Sequence, residues 1–138
     1  MPPTYLKQIL PELAQFVRER VPQVREWPPE RLEEWLTWYT VRDFIGVVTR
    51  AGTVVAVGCA RPVKPGQEKE TYASEWQGDT IWIDLAAAID RAATRDLWFL
   101  LVHRFGRREW IGYDRAKHGG RVRREPFDKF INRFFRTS

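Results

Sequence analysis

The 138-residue sequence contains only one cysteine, one methionine and two histidines. Cys59 has no second cysteine to pair with, which excludes an intramolecular disulfide and a cysteine-rich metal site. A zinc site built on His103 and His118 would have to take its other ligands from carboxylates, so we predict no metal. There is no run of about 18 apolar residues and no signal-peptide pattern, so we expect a cytoplasmic protein without a membrane span.

Aromatic and charged residues are abundant. Aromatic residues make up 14% of the chain, with seven tryptophans, and charged residues make up 30%. A chain of 138 residues is long enough for one domain with a hydrophobic core. The positive charge is uneven, because residues 103–138 hold eleven of the 23 basic side chains and only four of the 18 acidic ones. A basic last quarter predicts an acidic partner there.

Apolar periodicity predicts an alternating order of helices and strands. The predicted elements are a helix over 5–20, a helix that opens with Pro28-Pro29 and includes Tyr39, strands 44–50 and 53–60, a strand around Asp84, a helix over 90–105, a strand over 109–113, an edge strand starting near Val122 and a helix after Pro126. Pro11 either kinks the first helix or marks its start. Ala51-Gly52 predicts a short hairpin turn, and the small residues 58–60 predict a bulge or a close packing point. Residues 61–78 are interpreted as a long loop over a site.

The stretch W-Q-G-D-T-I-W-I-D-L-A-A-A, residues 76–88, is the most informative one. Its alternating apolar residues after a Gly-Asp turn are typical of a central strand covered on both faces. Asp84 is the exception, and a carboxylate in such surroundings is costly unless it has a partner or a use. Burial would raise its pKa toward the range of a general acid or base. Two interpretations stay open: Asp84 caps the next helix or pairs with an arginine, or it has a functional role.

The order of elements suits an α/β domain in which an antiparallel hairpin joins a parallel pair through the crossover helix 90–105. This order resembles the GNAT acyltransferase fold. Within that fold, short motifs are similar to the toxin-activating lysine acyltransferases, which move a fatty acyl group from acyl carrier protein to a protoxin lysine. These motifs are Arg25-Glu26-Trp27-Pro28, the hairpin Val47–Cys59, Ser74-Glu75-Trp76, Gly78-Asp79, Trp82-Ile83-Asp84 and His118-Gly119-Gly120-Arg121. The resemblance implies a single GNAT-like domain over 1–138, with a mixed twisted sheet and helices on both faces.

The resemblance also implies a catalytic pair, namely a histidine shortly before Trp27-Pro28 and an aspartate on the central strand. Asp84 matches the aspartate, whereas Val24 stands where the histidine is expected. His118 is then the candidate imidazole, and His103 is interpreted as structural because it lies late in a helix. A turn that contains a histidine is more often only a turn, so His118 has this alternative. Because lineages of this fold without a catalytic base act as binding proteins, reduced or lost chemistry is a live hypothesis.

Coenzyme A fits the sequence poorly. GNAT proteins hold its pyrophosphate on a glycine-rich loop that enters the third helix. Residues 86–93 read A-A-A-I-D-R-A-A and contain no glycine, although Arg91 and Arg95 offer positive charge. We therefore predict no cofactor.

The basic last quarter supplies the candidate partner-binding residues. They are Arg104, Arg107, Arg108, Arg115, Lys117, Arg121, Arg123 and Arg124. By resemblance the acidic partner would be acyl carrier protein. Nucleic acid is the rival, because arginines near Trp110 and Tyr113 could hold phosphates and stack bases, and a merely solvated face is the third alternative.

The last helix carries an apolar stripe formed by Phe127, Phe130, Ile131, Phe134 and Phe135. Such a stripe forms core, a subunit interface or a membrane-surface helix. We favour core, and a homodimer stays an alternative. The sequence thus predicts an acyltransferase-like protein, with Asp84 and His118 as candidate site residues and its catalysis reduced or lost. The other hypothesis is a non-enzymatic binding or assembly protein that uses the basic quarter to bind nucleic acid or another protein.

Overall fold

Two helices in the N-terminal part of the described chain carry a proline in their first turn. The structure, a computed structural model, describes residues 8–115 and 121–135. Helix α1 covers Leu10–Arg20 with Pro11 in its first turn, where the missing N–H costs no hydrogen bond, so Pro11 marks a helix start. A 3₁₀ turn, Pro22–Val24, leads to helix α2, Pro29–Val41, which begins with proline as predicted.

The next two strands form the predicted hairpin. Strand β1 covers Ile45–Arg50 and strand β2 covers Thr53–Val63, in antiparallel pairing. The turn residues Ala51 and Gly52 both have positive φ, 50° and 80°, as a two-residue type I′ turn requires.

Strand β2 is longer than predicted, since residues 61–63 belong to it and not to a loop. Arg61 and Pro62 favoured the prediction of a loop, because a charged residue and a proline usually signal the end of a strand. Pro62 is tolerated because the pairing of β1 with β2 stops at Ile45, the first residue of β1, which lies opposite Cys59, so no strand needs a proline N–H on that side. The Pro62 carbonyl on that side accepts a hydrogen bond from the Glu75 N–H at 2.8 Å.

The remaining elements complete a five-stranded mixed sheet in the order β1-β2-β3-β4-β5. They are strand β3, Thr80–Ala88; helix α3, Arg91–Phe105; strand β4, Trp110–Arg115; strand β5, Arg121–Pro126; and helix α4, Phe127–Phe135. Strands β3 and β4 pair in parallel across the α3 crossover, and the other neighbours are antiparallel. The predictions of a central strand around Asp84, a crossover helix and an edge strand at Val122 are confirmed. The described residues thus form one mixed α/β domain with four helices.

Helices lie on both faces of the sheet. A Cβ built on Gly58 would lie 2.9 Å from Leu97 Cδ2, so this glycine allows α3 to approach β2 closely. Successive strand residues point to opposite faces, and the next residue, Cys59, is fully buried beside Tyr39 of α2. The pairing of β2 with β3 shifts between Cys59 and Ala60. Residues 58–60 therefore provide both predicted features, a close packing point and a bulge.

The stripe of α4 lies in the core, as we predicted for it. Phe127 and Phe130 are buried, and the Phe130 ring meets the Trp98 ring edge to face at 5.3 Å between centroids. The Phe135 side chain lies outside what the structure describes. No helix in the described ranges is long and apolar enough to cross a bilayer.

Asp90, and not Asp84, caps helix α3. Its carboxylate accepts a hydrogen bond from the Ala93 N–H at 2.7 Å and forms two with the guanidinium of Arg50, at 2.9 and 3.0 Å. The Arg50 hydrogen bonds, followed by the one from Ala93, lower the pKa of Asp90 to about 2. This carboxylate therefore stabilises the fold above its unfolded pKa near 3.8, and that stabilisation is lost as the pH falls through about 2.

Replacing Asp90 with alanine should lower the free energy of unfolding at neutral pH, because a helix cap and an ion pair are removed together. The difference from the unsubstituted protein should shrink steadily as urea unfolding is repeated from about pH 5 down to about pH 2. Asp96→Ala, an exposed change on the same helix, is the matched control. A difference that stays constant over this pH range would contradict the assignment.

Candidate functional site

A groove opens where the two parallel strands part. Pairing between β3 and β4 ends at Ile83 and Tyr113, although β3 continues to Ala88. The groove at this point has a volume of about 560 Å³, within the usual size of ligand pockets. In open α/β sheets, ligands bind outside the carboxyl ends of the strands. This groove is therefore the candidate site of the domain.

The wall of the groove is mainly aromatic and aliphatic. The α1–α2 connection and α2 form one side, α3 and α4 the other, and β3 the floor. The aromatic residues of the wall are Trp27, Trp35, Trp82, Trp98, Tyr113, Phe130 and Phe134. Arg20, Gln23, Asp84, Asp114 and Arg133 are its polar members. Such a surface suits an apolar ligand with few polar groups.

Asp84 lies on the groove floor in the β2–β3 bulge. Leu85 pairs with Cys59 and Ile83 pairs with Ala60, so Asp84 is the extra residue of the bulge. Its side chain is 15% exposed. The Asp84 carboxylate accepts hydrogen bonds from Arg61 Nε at 2.9 Å and from the Tyr39 hydroxyl at 2.5 Å. Of the two interpretations of Asp84, pairing with an arginine is thus observed, and a functional role is not tested by this contact.

Arg61 is the residue that organises this region. Its side chain is only 3% exposed. While Nε holds Asp84, the two Nη atoms donate hydrogen bonds to the backbone carbonyls of Gln67, Glu68 and Ala73. One buried guanidinium therefore fastens both the groove carboxylate and the segment that follows β2.

The electrostatics of this cluster follow from its burial. Burial raises the pKa of Asp84 above its usual range, and the hydrogen bond and positive charge of Arg61 offset part of the shift. Burial and then the nearby Asp84 charge raise the pKa of Tyr39, so the phenol keeps its proton and donates it. Both of these hydrogen bonds fall on Oδ2 of Asp84, and Oδ1 has a longer contact of 3.5 Å with Arg61 Nη2. The ion pair with Arg61 lowers the basicity of this carboxylate.

Of the predicted histidines, the described ranges include only His103. It lies on α3, with its ring stacked against Phe99 at 6.0 Å between centroids, and it is not part of the groove wall. His118 lies outside the described residues. Val24, at the position where the resembled family has its histidine, is buried in the groove wall with Asp84.

The predicted basic residues lie at two ends of the β4–β5 hairpin. Arg104, Arg107 and Arg108 come at the end of α3 and just after it, whereas Arg115 and Arg121 pair at the far end of the hairpin. The side chains of Arg115, Arg121 and Arg123, and all of Lys117, lie outside what the structure describes. These eight residues therefore do not share a single end of the hairpin.

The four described basic side chains all have partners within the chain. Arg104 pairs with Asp43 and donates to the Ile45 carbonyl. Arg107 pairs with Asp128 at 2.6 Å, although it stays 70% exposed. The other two side chains contact backbone or acidic groups: Arg108 donates to the carbonyls of Trp76, Gly78 and Phe105, and Arg124 pairs with Asp79.

Sequence reasoning placed Asp84 correctly but missed Arg61 and the groove itself. The sequence does contain a signal for Arg61, because this residue directly continues the apolar run of residues 54–60. No protein-family model matches the chain, and no curated protein matches it.

Proposed function

We propose that the domain is acyltransferase-like, with a GNAT-like architecture whose groove holds an acyl chain and whose catalysis is reduced or lost. The observation that carries the proposal is the aromatic groove between the carboxyl ends of β3 and β4, with an arginine-paired carboxylate on its floor. An acyl chain suits this site because it offers much apolar surface and few polar atoms.

Reduced chemistry is supported by two residues. Asp84 is paired with Arg61, and this ion pair opposes protonation of the carboxylate, so Asp84 is a weaker proton acceptor than an unpaired buried aspartate would be. Val24 gives the groove wall a methyl surface where the resembled family has an imidazole. A groove that binds an acyl chain without a free base acts as a holder or a presenter.

An acidic partner remains part of the proposal. Arg107, which is largely exposed despite its pairing with Asp128, is an available contact for an acidic carrier such as acyl carrier protein. Binding through such contacts should weaken as salt increases. The rival partner, nucleic acid, would show the same salt dependence, so parallel titrations with both partners separate the two.

Filling the groove should abolish acyl binding. Ala86 lines the groove and is exposed, so Ala86→Leu places a larger side chain in the ligand space with little cost to the core. A fatty acid with a brominated chain should quench tryptophan fluorescence in the unsubstituted protein, because tryptophans surround the groove, and Ala86→Leu should remove most of the quenching.

The control is Ala92→Leu, because Ala92 is exposed on α3 and lies outside the groove wall. The tryptophan fluorescence of this variant should be quenched as strongly as that of the unsubstituted protein. Equal quenching of both variants would overturn the proposed site. Rapid acyl transfer to an amine, at a rate that depends on Asp84, would overturn the claim that catalysis is reduced.

A further inference from the structure

A second groove lies on the other side of Trp27 and Trp35. It has a volume of about 360 Å³ and lies between α2 and the segment that Arg61 fastens. Its lining residues are Trp27, Arg31, Glu34, Trp35, Thr71 and Tyr72. Trp27 and Trp35 line both grooves, so the two grooves are neighbours across these indoles.

Three aromatic side chains form the walls of the second groove. The rings of Trp27 and Trp35 are nearly perpendicular, at 82°, with 6.2 Å between centroids. Tyr72 stacks on Trp38 at 5.0 Å between centroids and is 40% exposed. Its φ of 61° is uncommon for a bulky residue, and the Arg61 contacts and this stacking hold it there. Aromatic walls of this kind attract quaternary ammonium groups.

The groove also carries one charge of each sign. Glu34 has no ion pair or hydrogen bond among the residues that the structure describes. Its charge reaches the Tyr72 hydroxyl, since burial and then Glu34 raise the pKa of Tyr72. The guanidinium carbon of Arg31 lies over the Trp27 ring, 4.2 Å from its centroid. Among the residues that the structure describes, this guanidinium has no ion pair or hydrogen bond, so its N–H groups are available.

We propose that this second groove binds a choline-phosphate group, with the quaternary ammonium against the aromatic walls beside Glu34 and the phosphate on the edge of Arg31. A lone cation would be repelled by Arg31, and a lone anion by Glu34, whereas a zwitterion complements both charges. The methylated ammonium is preferred over a primary one because it is weakly hydrated and fits between ring faces.

The shared indoles extend this assignment to a lipid. A choline-phosphate group that is joined to an acyl chain could place its headgroup in the second groove while its chain enters the first. This extension rests on the proposed function, whereas binding of the headgroup alone does not. Phosphocholine as a free metabolite and the headgroup of a lysophospholipid offer the same chemistry to the second groove.

Calorimetric titration with phosphocholine, choline chloride and inorganic phosphate tests the proposal on the full chain. Phosphocholine should bind measurably tighter than either of its halves. Glu34→Gln and Arg31→Gln should each weaken its binding by about tenfold or more, since each removes a charged contact. Glu33→Gln, one residue away on α2, should bind like the unsubstituted protein. Arg42→Gln is the second matched control, because Arg42 stacks on Trp38 at the same 4.2 Å outside the groove.

The source of the headgroup is decided by adding a lysophosphatidylcholine below its micellar concentration. Tighter binding of this lipid than of phosphocholine, lost in Ala86→Leu, identifies a lipid that spans both grooves. If lysophosphatidylcholine and phosphocholine bind equally and Ala86→Leu changes neither affinity, the ligand is the free metabolite. The headgroup site is then supported even if the first groove binds no acyl chain. The proposal would be overturned if phosphocholine does not bind or if choline alone binds with equal affinity. It would also be overturned if Arg42→Gln weakens phosphocholine binding as much as Arg31→Gln does.

Discussion

Replacing Arg61 with methionine is expected to destabilise the domain by about 3–5 kcal/mol, the range found when one partner of a buried ion pair is removed. The residue is 2% exposed, and its guanidinium is the cation paired with Asp84. Methionine would fill most of the volume, but it would leave a buried carboxylate without its counter-ion and three carbonyls without their donor. Urea unfolding at neutral pH measures the loss.

The pH dependence of this loss identifies its cause. Burial raises the pKa of Asp84 above 3.8, and without Arg61 it should rise further. When a carboxyl pKa is higher in the folded than in the unfolded state, the folded state binds more protons, so stability falls as the pH rises between the two values. The penalty of Arg61→Met should therefore be largest near about pH 7 and shrink toward about pH 4.

Two further variants control this experiment. Arg50→Met breaks an exposed ion pair with the same chemical change and should cost less. The double variant Arg61→Met with Asp84→Leu should recover part of the lost stability, since no charge stays buried, but not the hydrogen bonds to residues 67, 68 and 73. If Arg61→Met costs no more than Arg50→Met, the organising role of Arg61 is wrong.

The second large effect is expected at Gly78, where alanine should destabilise the domain by about 1–3 kcal/mol or more. A Cβ at this position would lie 2.2 Å from the Val63 carbonyl oxygen and 2.8 Å from the Val63 nitrogen. Because both atoms belong to the backbone, no rotamer change relieves the overlap. The end of β2, two residues after Arg61, would have to move.

Gly46→Ala provides the comparison for Gly78→Ala. Its Cβ would first meet Leu97 Cδ1 at 3.1 Å and Leu101 Cδ2 at 3.2 Å, which are the ends of flexible side chains. Thermal and urea unfolding of the two alanine variants should rank Gly78→Ala as clearly less stable. Equal stabilities would mean that the Gly78 and Val63 backbones are not in close contact.

Much of the architecture could be predicted because it depends on local patterns. Alternation around Asp84 predicted a central strand, and the helical period after residue 90 predicted the crossover between parallel strands. The extent of β2 could not be predicted, because Pro62 is acceptable only where the pairing of β2 with the neighbouring strand has stopped. That condition depends on how far β1 extends, which the residues of β2 do not encode.

The candidate site was harder to predict for the same reason. The sequence predicts that a carboxylate at position 84 is costly to bury without a partner. Its partner, Arg61, lies 23 residues earlier, in a stretch that was predicted to be a loop. The groove exists because the β3–β4 pairing stops after Tyr113, and no local pattern marks that point. Likewise, the excess of arginine in the last quarter was plain, whereas the pairing of Arg107 with Asp128 and of Arg124 with Asp79 required the fold.

A crystal structure with a bound brominated fatty acid tests the central claim most directly, because the anomalous signal of bromine locates the chain. We expect the chain between the parted ends of β3 and β4, with Asp84 still bound to Arg61 and Tyr39. Bromine density elsewhere on the surface, or an Asp84 released from Arg61 and turned toward the acyl carbonyl, would contradict the account.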